Sequence, residues 1–91
     1  MNIIYKTVIA LKEDIQEDKL IRIRKLIKKQ FVNNAGSVLN KKIDDSSRLE
    51  FEGEENDYWC LQVGMSQIRK TEELMDYITE INWFDDSNPG K

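Results

Sequence analysis

In the first stretch of the chain, both sets of alternate positions are largely apolar, and this pattern predicts a β-strand over residues 2–12 with two apolar faces. Ile, Val, Tyr and Thr, which fit a pleated surface, dominate the stretch. A strand that is apolar on both faces is usually covered on both. We therefore expect both faces of this strand to be covered.

Helical spacing replaces the alternation over residues 15–35, where a long helix is predicted. Apolar side chains recur every three or four residues on one face, at Leu20, Ile23, Ile27 and Phe31. Asp14 and Glu17 have the three-residue spacing of a capping box, which predicts the start of the helix. Gly36 is a typical C-terminal cap and predicts its end.

A polar loop over residues 37–47 is predicted to lead into a β-hairpin. Its strands are residues 48–54 and 58–65, with the turn near residues 55–57. The alternation directs a set of apolar side chains inward, at Leu49, Phe51, Trp59, Leu61, Val63 and Met65. It directs the glutamates of the first hairpin strand outward, on the same face as Tyr58.

A second helix is predicted from Thr71, which has two glutamates after it in the first turn. Its apolar stripe consists of Leu74, Ile78 and Ile81. Residues 81–85 either continue this helix or turn into a short strand. We expect residues 1–85 to form a single globular domain and residues 86–91 to form a flexible C-terminal tail.

The element order β-α-β-β-α predicts an α+β fold, an antiparallel sheet with two helices on one face. The sheet has three strands, or four if residues 81–85 form one. This layout resembles an incomplete ferredoxin-like βαββαβ pattern. In it the first strand lies at an edge, where an apolar strand needs cover. The cover is either a C-terminal strand near residues 81–85 or a strand from another chain.

The composition excludes several kinds of chemistry. The chain has no histidine, so histidine-dependent catalytic triads and ordinary zinc sites are excluded within it. The one cysteine, Cys60, excludes an internal disulfide and fits a reducing compartment. The start of the chain is explained better by a strand than by a signal peptide, and no apolar run is long enough to span a membrane. We expect a cytoplasmic protein that is not an enzyme and has no cofactor or metal.

Charge is divided unevenly along the chain. Residues 1–42 carry ten Lys and Arg against four Asp and Glu, and residues 43–91 carry four against thirteen. The predicted helix presents a row of cations, Arg22, Lys25 and Lys29, as a candidate anion-binding site. A solvated helix face, pairing with the acidic second half and a protein partner are the alternatives. Nucleic acid is disfavoured because stacking aromatics and a glycine-rich loop are missing.

Acidic side chains in and before the predicted hairpin form the candidate partner-binding site. The residues are Asp44, Asp45, Glu50, Glu52, Glu54, Glu55 and Asp57, with Tyr58 and Trp83 as aromatic anchors. Neighbouring like charges on a strand repel, and aromatic residues favour interface cores, so the pattern indicates recognition of a basic partner. A solvated sheet face, a divalent-cation site and a catalytic carboxylate pair are the alternatives.

A small, acidic, single domain without catalytic equipment resembles the bacterial immunity proteins that neutralise toxins. It is equally similar in type to phage-encoded inhibitors such as anti-CRISPR proteins. The resemblance implies a protein-binding inhibitor whose carboxylates occupy the basic nucleic-acid-binding surface of a nuclease-type toxin. Two other functions stay open: a regulatory homodimer paired through the first strand, and a nucleic-acid-binding protein that uses the basic helix.

Overall fold

The computed structural model describes residues 3–45 and 47–85 of the 91-residue chain, with the backbone alone for residues 40–45. In chain order the elements are β1 (Tyr5–Leu11), α1 (Glu17–Gln30), β2 (Asn40–Asp45), β3 (Arg48–Gly53), α2 (Tyr58–Arg69), α3 (Glu72–Met75) and β4 (Ile78–Asp85). A 3₁₀ turn, Glu55–Asp57, joins β3 to α2. The predicted tail, residues 86–91, lies outside the described residues.

The four strands form one antiparallel sheet in the order β2-β3-β1-β4. α1 connects β1 to β2, and β3 lies between those two strands. α2 and α3 connect β3 to β4, and β1 lies between that pair. Two interleaved β-α-β units of this kind make the full ferredoxin-like βαββαβ layout. The predicted α+β class with an antiparallel sheet is therefore confirmed, and the four-stranded alternative is the correct one.

β1 is a central strand, which explains why both of its faces are apolar. Thr7 lies opposite Phe51 on one side and Trp83 on the other. Three consecutive side chains, Thr7, Val8 and Ile9, are buried although they point alternately to the two faces. The expectation that β1 lies at an edge is wrong, because β4 covers that side. A homodimer through β1 consequently has no free strand edge to use.

The second half of the predicted hairpin is wrong, because residues 58–65 belong to the helix α2. The buried side of α2 follows helical spacing, at Leu61, Gly64, Met65 and Ile68. Trp59 and Val63, expected inward, are 75% and 51% exposed. The cause lies just before the helix, where the Asp57 carboxylate accepts a hydrogen bond from the backbone N–H of Glu54 at 3.0 Å. This capping box closes the 3₁₀ turn Glu55–Asp57, which leads directly into α2 where the alternation suggested a hairpin turn.

Two further boundaries differ from the prediction. Residues 40–45, predicted as part of a loop, form β2 and pair with β3. The predicted second helix is reduced to α3, after which β4 begins. Ile81 and Trp83 are half-buried while Glu80 and Asn82 are exposed, which is the two-residue period of a strand. Of the two alternatives left open for residues 81–85, a strand is therefore the correct one.

α1 is shorter than the predicted helix at both ends. Gln16, not Asp14, occupies the N-cap position, and its side chain makes no cap hydrogen bond. Beyond the other end, the Asn33 side-chain oxygen accepts hydrogen bonds from two backbone N–H groups of the following loop, both at 3.0 Å. Such local bonds compete with helical ones, so the chain turns here. Gly36, at φ 86°, lies within this loop and does not cap the helix.

The core lies between the helices and one face of the sheet, and an aromatic pair occupies its centre. The rings of Phe31, after α1, and Phe51, on β3, are stacked at 4.3 Å and 16°. Both side chains are fully buried. α2 reaches this pair through Gly64, where an added Cβ would lie 2.5 Å from ring atoms of Phe31. The absence of a side chain at Gly64 therefore sets how closely α2 approaches.

No helix in the described ranges combines the length and the apolar character that crossing a lipid bilayer requires.

Gly64→Ala is expected to destabilise the protein by about 1–3 kcal/mol, because the added methyl overlaps the Phe31 ring and that ring is held by Phe51. Without the overlap, a helical Gly→Ala change stabilises a protein by roughly 0.5–1 kcal/mol, so the sign of the effect is diagnostic. Urea denaturation measures it. Ser66→Ala, at an exposed position of the same helix, serves as the control and should stay within about 0.5 kcal/mol of the parent. A more stable Gly64→Ala variant would contradict the close approach.

Candidate functional site

Four aromatic side chains meet at one end of the sheet, and we call them the aromatic corner: Tyr5, Tyr58, Trp59 and Trp83. Ring centroids lie 5.0 Å apart for Tyr5 and Tyr58, 5.6 Å for Tyr5 and Trp83, and 5.7 Å for Tyr58 and Trp83. Trp59 adds an edge contact to Tyr58 at 5.6 Å. The Tyr5 and Trp83 rings are stacked, and Tyr58 stands nearly perpendicular to both. These are favourable aromatic geometries that make the corner rigid.

The topology brings the corner together from three distant parts of the chain. Tyr5 is the first residue of β1, and Asp85, the last residue of β4, lies opposite it in the sheet. Trp83 therefore lies near the same end on the neighbouring strand. Tyr58 is the first residue of α2, which packs on the helix-covered face at this end. The corner depends on the antiparallel pairing of β1 and β4 and on the position of α2.

The three inner rings fill the space between them, so the corner is not an open cage for a cation. The fourth ring, Trp59, is different because 75% of the residue is exposed. An exposed indole on a rigid support can stack on a guanidinium or an aliphatic side chain of another molecule. The corner thus offers one projecting ring and a firm base for it.

Carboxylates surround the corner. Partial desolvation raises the pKa of the Tyr5 phenol, and the negative charges of Asp85 and Glu55 raise that pKa further. Glu54 and Glu55 are exposed in the connection between β3 and α2. Asp57, half-buried beside them, is engaged in the capping box of that connection. The corner therefore combines aromatic surface with several negative charges and, among these residues, no positive one.

The predicted partner-binding residues divide among three places. The corner and its carboxylates include five of them: Glu54, Glu55, Asp57, Tyr58 and Trp83. Asp44 and Asp45 lie on β2, opposite Leu49 and Arg48 of β3 in the sheet register. Glu50 and Glu52 lie on β3 with side chains on the face away from the helices.

Two details of the predicted acidic surface need correction. Glu50 was expected to be exposed, but it is 6% exposed, because it lies on an inner strand beside Val8. Tyr58 does not share a face with Glu50 and Glu52, because α2 lies across the sheet from them. The acidic surface is consequently centred on the connection after β3, and it does not run along that strand.

The basic helix pairs partly with the acidic second half of the chain. Arg22 forms an ion pair with Glu73 of α3, and this contact raises the pKa of Arg22 and lowers that of Glu73. Lys19 lies 5.6 Å from the centre of the Tyr77 ring. Lys25 and Lys29 are exposed. Of the predicted anion-binding trio, one member is therefore engaged within the molecule, which weakens the case for a phosphate site.

A cleft of about 290 Å³ separates the connection after β3 from the loop that follows α1. Its polar lining comes from Asn33, Glu52, Glu54 and Asp57. An adjoining cleft of about 230 Å³ includes the half-buried Cys60. Among the side chains that the structure describes, those of residues 3–39 and 47–85, no three from His, Cys, Asp or Glu are grouped to hold a metal ion. The arrangement around these clefts offers carboxylate and amide oxygens as acceptors for a basic group.

Sequence reasoning missed Tyr5 and Trp59 as members of the site. Tyr5 was assigned to a covered strand face, and Trp59 to the inner face of a strand. Helical spacing could have revealed Trp59: if Leu61 and Met65 are buried on one side of a helix, Trp59 points away from that side.

No protein-family model, no curated protein and no solved structure matches this chain.

Glu55→Gln is expected to lower the pKa of Tyr5 towards its ordinary value, because it removes one of the negative charges that disfavour the phenolate. An NMR titration of the Tyr5 ring signals measures this, with Glu72→Gln on α3 as the control. Since folding raises this pKa, the linked stability is complete below the unfolded pKa and is lost as pH rises through the folded one. An unchanged Tyr5 pKa in Glu55→Gln would show that Glu55 does not face the ring.

Proposed function

We propose that this protein is a non-catalytic binding protein that inhibits a basic partner through the aromatic corner and its carboxylates. The observation that carries the proposal is Trp59, an exposed indole that packs edge-on against Tyr58 of the corner, next to a group of rings whose Tyr5 feels the charges of Glu55 and Asp85. Trp and Tyr are the residue types that dominate binding energy at protein interfaces. An apolar side chain that is exposed next to other aromatic rings extends an apolar patch, and contiguous patches mark interaction sites.

The charges and the aromatic rings have separate roles in this mechanism. Carboxylates around the corner attract a positively charged surface and accelerate association, an effect that salt screens. Burial of Trp59 on the partner then slows dissociation, because it desolvates a large rigid side chain at low conformational cost. Most of the affinity is therefore expected from the aromatic contact and most of the association rate from the charges.

The partner that fits best is a nuclease-type toxin, whose nucleic-acid-binding surface must be basic. In this proposal the carboxylates occupy phosphate positions on the toxin, and the protein acts as a bacterial immunity protein in the cytoplasm. A phage-encoded inhibitor such as an anti-CRISPR protein is the alternative, because its target would present the same kind of basic surface. Nucleic-acid binding through α1 has less support, since Arg22 is paired with Glu73.

The proposal is tested by capture from a nuclease-treated lysate of the native host, followed by titration of the captured basic protein against variants. Trp59→Ala is expected to weaken binding at least about 30-fold, equivalent to about 2 kcal/mol. Ile21→Ala on α1 is its control, because Ile21 is also a large exposed apolar residue, at 50% exposure. Isothermal titration calorimetry gives both affinities.

Glu55→Lys should act mainly on association. We expect a lower association rate, a weaker dependence on salt and little change in the dissociation rate. Glu72→Lys is the matched control, since Glu72 is also exposed in the first turn of a helix. Capture of no basic protein, or equal effects of the site and control substitutions, would refute the proposed surface.

A further inference from the structure

β4 has an unpaired outer edge. It pairs with β1 on one side, and in the described part of the chain no strand lies on the other. The strand is eight residues long, Ile78–Asp85, and its register shift lies at its beginning, opposite Ala10 and Leu11. The pairing of residues 80–85 with β1 is therefore regular. Backbone N–H and C=O groups on the outer edge are available to a further strand.

The features that commonly protect an edge strand are scarce on β4. It contains no proline and no lysine, and its only charged residues are Glu80 and Asp85. Negative charge discourages pairing with a second copy, because the copy brings the same carboxylates to the edge. The same charge favours an extended segment that carries Lys or Arg. The charge of β4 therefore favours a basic segment over a second copy of this chain as the added strand.

A small notch beside β4, lined by both apolar and polar side chains, provides a second point of recognition. It has a volume of about 190 Å³ and is lined by Arg69, Met75, Ile78, Thr79, Glu80 and Ile81. The notch lies at the start of β4, and Met75 leaves 38% of its surface exposed there. An apolar side chain on the helix-covered face of an added strand would fill it. Arg69 disfavours a cation at this end of the edge.

The two carboxylates of β4, Glu80 and Asp85, lie at the two ends of its regular part. The Glu80 carboxylate accepts a hydrogen bond from the Asn82 side-chain amide at 3.0 Å, so it is oriented on the exposed face. Asp85 lies five residues further along, about 17 Å away at the rise of a strand. Trp83, between them, belongs to the corner. Because side chains alternate along a strand, Glu80 lies on the face away from the helices, whereas Asp85 and Trp83 lie on the helix-covered face. The two carboxylates therefore flank the edge from opposite faces.

We infer that β4 binds an extended basic segment of the partner as a fifth strand of the sheet. An apolar residue of that segment occupies the notch, and Lys or Arg residues on the segment's other face lie beside Glu80. Backbone hydrogen bonds give the affinity, while the notch and the carboxylates set the direction and register. This inference rests on the proposed function, since it states how the same basic partner docks.

The test uses an acetylated, amidated octapeptide that alternates Val and Lys, with amide hydrogen exchange of the full chain followed by NMR. Every second amide of β4, those not bonded to β1, should gain at least tenfold protection when the peptide is present. A Val-Glu peptide and a Val-Lys peptide methylated on alternate backbone nitrogens should give no such gain. Glu80→Lys should weaken Val-Lys peptide binding at least tenfold, and Glu72→Lys should leave it unchanged.

Protection that is absent, that is equal with the methylated peptide, or that grows with protein concentration alone would overturn the strand-addition proposal. The last of these outcomes would identify a second copy as the occupant. Trp59→Ala should keep the alternating protection by the peptide, because Trp59 is not on β4. If partner binding depends on Trp59 but does not protect β4, this inference is refuted and the proposed function stands. If the partner protects β4 but Trp59→Ala does not weaken its binding, the proposed function is refuted and strand addition stands.

Discussion

The packing of Phe31 against Phe51, and of both against the bare backbone at Gly64, is the contact on which the rest of the structure depends. It joins the end of α1, the middle of β3 and the middle of α2 at one fully buried point. Because a side chain at Gly64 would collide with Phe31, α2 has one close position over the sheet. That position places the first residues of α2, Tyr58 and Trp59, at the end of β1 and β4.

The central position of β1 completes the same arrangement from the side of the sheet. With β3 and β4 on its two sides, β1 brings Tyr5 beside Trp83, and the corner forms where strand ends and a helix start meet. The uneven charge of the chain is then distributed in space. One cation of α1 pairs with the acidic α3, whereas the carboxylates around the corner have an aromatic surface between them. Aromatic surface and carboxylates therefore lie together at this end of the sheet.

The fold class could be predicted because it depends on long-range alternation and helical spacing, as in β1 and α1. The helix at residues 58–69 could not, because its apolar residues fit a two-residue period as well as a helical one. Two features accompany the helix, the 3₁₀ turn that Asp57 closes just before it and the burial of Gly64, and neither is visible in the hydrophobic pattern alone. Part of the candidate site was predicted from acidic clustering, while Tyr5 and Trp59 required the three-dimensional meeting of distant segments.

The most direct test of the proposed binding surface is NMR shift mapping of the labelled protein with the basic partner captured from its host. We predict that the largest changes in amide and indole chemical shift occur at residues 54–59 and 83–85, with smaller changes along β4. Shifts centred on the outward face of α1, at Lys25 and Lys29, would contradict it, because they would place the partner on the basic surface.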